Sequence, residues 1–200
     1  MTGLTDLAGL AGLAVALAAA CMAMPLSGRK RSALAILAVI LALLPLGELP
    51  PAAYVRGVTG DLSITTVVLL LRFALGRQFG WSALEARSRL ALQILIACTA
   101  LALYPLALGI GSFDPYRLGF GNPWLVGALS LAALAAWRAR LLPVALCIAL
   151  VLLAWALGWH ESGNAWDTLL DPLLSVWALA ALVLHGARRL LNPGAANRPS

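Results

Sequence analysis

The residues best equipped for chemistry in this chain gather near its end, in the stretch HESGNAWDTLLDP, His160 to Pro172. His160 can act as an acid or base near neutral pH, and Glu161 as a base or ligand. Glu48 is a third candidate of the same kind, so His160, Glu161 and Glu48 form the candidate catalytic set. Arg56 and Arg117 are the candidate phosphate partners, because a guanidinium fork matches a phosphate or carboxylate. Asp114 and Asp167 complete the candidate ligand-binding group. His, Glu and Asp here match no HExxH or comparable spacing, and Cys21, Cys98 and Cys147 stand singly, so neither a metal nor a cofactor is expected.

These polar residues are set in a chain that is 62% hydrophobic and only 11% charged. Its mean hydropathy is +0.93. A soluble surface carries about a quarter charged residues, so the composition specifies an integral membrane protein. Crossing about 30 Å of hydrocarbon takes roughly 20 helical residues. Apolar runs predict spans near 5–26, 33–48, 61–77, 90–111, 123–137, 141–159 and 171–187. The expected fold is an all-α bundle of seven transmembrane helices, one domain over 1–190 with a flexible cytoplasmic tail at 191–200. Runs such as ALCIALVLLAWAL are apolar on every face, unlike the alternating strands of a barrel.

Charge fixes the expected orientation. Arg29, Lys30, Arg31, Arg77, Arg87, Arg89, Arg138, Arg140, Arg188, Arg189 and Arg198 all fall on one side if seven helices alternate. Positive loops mark the cytoplasm, which puts the N-terminus outside. Seven of the eight acids, all but Glu85, then lie on the outer side. Almost every basic residue is an arginine; this bias, together with Ala, Leu and Gly, suggests a bacterial inner membrane. The net charge of +6 reads as headgroup anchoring, and no nucleic-acid partner is expected.

Three acidic or amide residues have a structural reading. Asp61, Asn122 and Asp171 precede predicted spans, and the last two stand directly before a proline, the pattern of a helix N-cap. Glu48, His160 and Glu161 instead end helices, where the dipole disfavours a carboxylate unless Arg56, Arg117 or a ligand compensates it. Arg72, inside a span, is expected to snorkel toward the cytoplasmic end, and Pro45 and Pro105 to kink their helices.

Three function classes fit this layout. The first is an accessory or assembly subunit of a membrane complex, docking a membrane-protein partner through a periplasm-facing surface. The second is an enzyme or binding protein for a lipid or lipid-linked substrate at the outer leaflet. The third is a small-solute transporter or channel, which the nearly charge-free spans disfavour.

Overall fold

A computed structural model describes residues 4–45 and 47–191. Among them every regular element is helical. The elements are α1 (Leu4–Ala23), α2 (Gly28–Leu43), α3 (Pro51–Thr59), α4 (Ile64–Phe79), α5 (Ala86–Ala107), a 3-10 turn (Pro115–Gly119), α6 (Pro123–Arg138), α7 (Leu142–Ala156), α8 (Ala165–Leu169) and α9 (Pro172–Leu191). Apart from Leu191, the tail expected at 191–200 lies outside the described residues.

Three helices, Thr5–Ala23, Ala86–Ala107 and Pro172–Leu191, are long and apolar enough to cross a membrane. Seven were expected. The other four predicted spans are helical but reach only 15 or 16 residues. At 1.5 Å per residue that is roughly 22–24 Å, short of about 30 Å. Helix breakers set the limit. Leu44, ahead of Pro45, takes an extended backbone and ends α2, so Pro45 follows the helix rather than kinking it. Gly80, left-handed at φ 69°, ends α4. Pro105 does lie inside α5, which stops two residues later.

The helices pack as two groups. α1 lies against α2 and α4, and Ala19, Cys21, Met22, Ala35 and Ala74 form a small core there. α5 lies against α9 and α7, and α6 against α7, around a larger core that includes Leu92, Ile96, Ile148 and Leu174. α4 packs on α7 and α8 and so joins the groups. One end of the bundle carries most of the acids and the short elements α3, α8 and the 3-10 turn. At the opposite, basic end Arg72 behaves as expected: its guanidinium donates to the Ser82 carbonyl at 2.8 Å and lies over the Trp81 ring. Arg77 donates to the Met22 carbonyl in the last turn of α1.

Candidate functional site

At the acidic end Arg56 is held by three carboxylates from distant parts of the chain. Pro51 opens α3, Arg56 falls in its last turn, and Gly60 at φ 72° turns the chain back so that Asp61 faces the guanidinium. Arg56 Nε and Nη2 donate to the two oxygens of Asp61, a bidentate pair. Nη1 donates to Asp6 on α1 at 2.8 Å, and Nη2 also donates to Glu161 at 2.8 Å. Side-chain exposure is 14% for Arg56 and 6% for Asp61, against 71% for Glu161, so the knot runs from protein interior to water. The hydrogen bonds Arg56 donates to Asp61 and then to Asp6 raise its pKa further above the ordinary value, against the opposing effect of burial. One guanidinium against three carboxylates leaves an excess of negative charge.

Close approach of α1 to this knot depends on Gly9. A Cβ there would overlap the Asp61 carboxylate and the Arg56 guanidinium. Asp61 is therefore not the helix cap expected from its position. Ser63 caps α4 instead, accepting from the Thr66 amide, because Asp61 is turned toward Arg56.

Asp171 does cap its helix, and does more. Its Oδ1 accepts from the Leu174 amide in α9 at 2.8 Å. Its Oδ2 accepts from the Ser63 amide and from the Ser63 and Thr66 hydroxyls. One buried carboxylate thus ties the start of α9 to the start of α4. Asn122 caps α6 as expected, through the Trp124 amide.

Two polar loops lock together beside these ties. Asn164, fully buried, donates to the Tyr116 carbonyl at 3.0 Å and caps α8 through the Trp166 amide. A Cβ on Gly119 would overlap its amide oxygen, so the 3-10 turn can seat only with glycine there. Trp166 Nε1 donates to the Pro115 carbonyl. Asp167 accepts from the Tyr116 hydroxyl at 2.7 Å and from Ser162. Burial, and then the bond to Asp167, push the Tyr116 phenol up to about 12.

The structure brings four of the seven candidate residues into one region. Asp61, His160, Glu161, Ser162, Asp167 and Asp171 line a shallow cleft of about 350 Å³, and Arg56 stands behind Asp61 and Glu161. His160 Nδ1 accepts from the Ser162 amide, while its Nε2 is buried with no hydrogen-bond partner. His160 and Asp61 also head an apolar groove of about 400 Å³ between α1 and α4. Asp114 sits apart, capping the 3-10 turn through the Tyr116 amide. Arg117 and Glu48 are exposed, and neither side chain has a partner among the described residues. No group of three or more His, Cys, Asp or Glu among the described residues is arranged to hold a metal.

Asp6, Asp61, Asp171, Tyr116 and Ser162 belong to this region although their sequence positions do not announce it. Asp61 stands five residues after Arg56, the one local signal for the pair. Asp6 and Asp171 meet their partners across 50 and 108 positions, which no periodicity encodes. Comparison with known protein families, curated proteins and solved structures finds no match to this chain.

Proposed function

We propose that this chain is an accessory or assembly subunit of a bacterial inner-membrane complex, docking a membrane-protein partner through its acidic, periplasm-facing end. In this reading seven helices cross, with the N-terminus outside and the C-terminus in the cytoplasm. The four shorter helices then span a locally thinned bilayer, a mismatch of modest cost. The arginine-rich end faces the cytoplasm.

One contrast carries the docking role. The polar side chains at the acidic end largely turn inward, onto one another, while large apolar ones face out: Val58 is 88% exposed, Trp124 83% and Phe120 63%. Arg56 commits four N–H bonds to carboxylates, and Asp167 and Asp171 are bonded to hydroxyls or amides. Aromatic anchors around a polar interior bonded mostly to itself, His160 Nε2 excepted, suit a protein interface better than a reactive centre. A photo-crosslinking residue placed at Trp124 should give one discrete protein adduct in cells, whereas one at the exposed Leu131 in mid-α6 should give none. Equal, diffuse labelling at both positions would remove the docking role.

A second reading, action on a lipid or lipid-linked substrate at the outer leaflet, is favoured by one group. His160 presents an unpartnered ring nitrogen where a polar cleft meets an apolar groove, the layout of a headgroup beside a chain. Retention of a lipid that His160→Ala loses would favour this reading over docking.

A further inference from the structure

At the basic end, α5 and α9 flank an open cavity of about 640 Å³ whose polar lining is four arginines, His185 and the neutral Gln93. Arg87 and Arg89 reach it from the first turn of α5, and Arg188 and Arg189 from the last turns of α9. His185 stands on the same wall, and no acid lines the cavity. Among the described residues none of these four guanidiniums forms an ion pair; every ion pair involves Arg56, at the other end. Leu90 and Leu184 continue the cavity as apolar wall. Both helices are among the three long and apolar enough to cross a membrane. Their joint therefore falls where acyl chains give way to headgroups.

We infer that this cavity binds an anionic phospholipid, its phosphates held by Arg87, Arg89, Arg188 and Arg189 and its chains lying along Leu90 and Leu184. Four exposed guanidiniums line one groove between two helices, and among the described residues no carboxylate pairs with any of them. Planar forks on two facing helices suit two phosphates held bidentately, so a lipid with two phosphodiesters fits best. Basic pockets between membrane helices on the cytoplasmic side are a recurrent setting for such headgroups. The inference rests on the membrane location of α5 and α9 and is independent of the docking role.

Native mass spectrometry of the full chain, released from phosphatidylethanolamine nanodiscs containing a minor fraction of cardiolipin, tests it. One cardiolipin per chain should be retained in preference to phosphatidylethanolamine. Arg87→Gln/Arg188→Gln should weaken retention about 30-fold, Arg87→Lys/Arg188→Lys should weaken it less, and Arg29→Gln, on α2 and outside the cavity, should leave it unchanged. Should the double glutamine variant not fold, Arg87→Gln and Arg188→Gln taken singly should each weaken retention several-fold. Equal retention by wild type and variants, or no preference over phosphatidylethanolamine, would overturn the site. Displacement of cardiolipin by millimolar inorganic phosphate would assign the cavity to a free anion instead and overturn the lipid.

Discussion

Two polar knots sit side by side at the acidic end and are built on opposite plans. At Arg56 a cation gathers three carboxylates, one of them largely in water. At Asp171 a single buried carboxylate gathers neutral donors from two helices. A buried charge is tolerated only when its lone pairs are met, and Asp171 meets them with amides and hydroxyls already fixed by helix starts. Arg56 pays for its burial with opposite charge, which is screened wherever water reaches it. The Asp171 knot should thus be the sturdier clamp, and the Arg56 knot the one that conditions outside the protein can tune.

The largest effect should come from Asp171→Ala. It strands the Ser63 amide and removes the acceptor shared by two hydroxyls, in a buried site joining α4 to α9. Orphaned buried donors cost about 1–3 kcal/mol each, incompletely additive, so a loss of roughly 3–4 kcal/mol is expected in denaturant unfolding in detergent. A loss below about 1 kcal/mol would show that water enters this tie and would erase the contrast between the knots.

Arg56→Met should follow, at roughly 3 kcal/mol, because it leaves the buried Asp61 carboxylate unpaired. Replacing both, as Arg56→Met/Asp61→Leu, should recover most of that loss, since a matched apolar pair carries no desolvation penalty. Glu161→Gln should cost under about 1 kcal/mol, and less in high salt, because its carboxylate is 71% exposed. If Glu161→Gln matched Arg56→Met, the knot would be uniformly dry and the gradient from interior to water would be absent.

Local chemistry was legible and long-range pairing was not. All seven predicted spans coincide with helices, and Asn122 and Asp171 cap as their proline neighbours implied. The basic run at 29–31, read as a loop, lies inside α2, since arginine and lysine are good helix formers whose charged ends leave the helix surface. Residues 51–59, which fall between two predicted spans, form α3. Proline at a first helical position starts a helix as readily as it breaks one. The dipole argument offered Arg56 as a partner for Glu161, which meets it across 105 positions, but α7 ends at Ala156 and α2 at Leu43, so neither Glu161 nor Glu48 stands at the helix end the argument assumed. It could not supply Asp6 or the Gly9 gap, because both depend on where α1 packs.

The smallest effect concerns the loop that flanks both knots. Tyr116 titrates near 12 rather than near its ordinary value of 10.0, first because it is buried and then because it donates to Asp167. A raised pKa for an acid that is neutral when protonated means that the folded state holds the proton more tightly than the unfolded one. The stabilisation is therefore complete below about pH 10 and is lost as pH rises toward 12. Tyrosinate absorbance of the folded protein should accordingly show a step near pH 12 that Tyr116→Phe removes. The same variant should flatten the decline in thermal stability across that window and leave the neutral-pH stability within about 1 kcal/mol, the net worth of one such hydrogen bond. If the step that Tyr116→Phe removes lay instead at the ordinary value, Asp167 and Tyr116 would both be open to water, and this loop would resemble the wet edge of the Arg56 knot rather than the buried tie at Asp171.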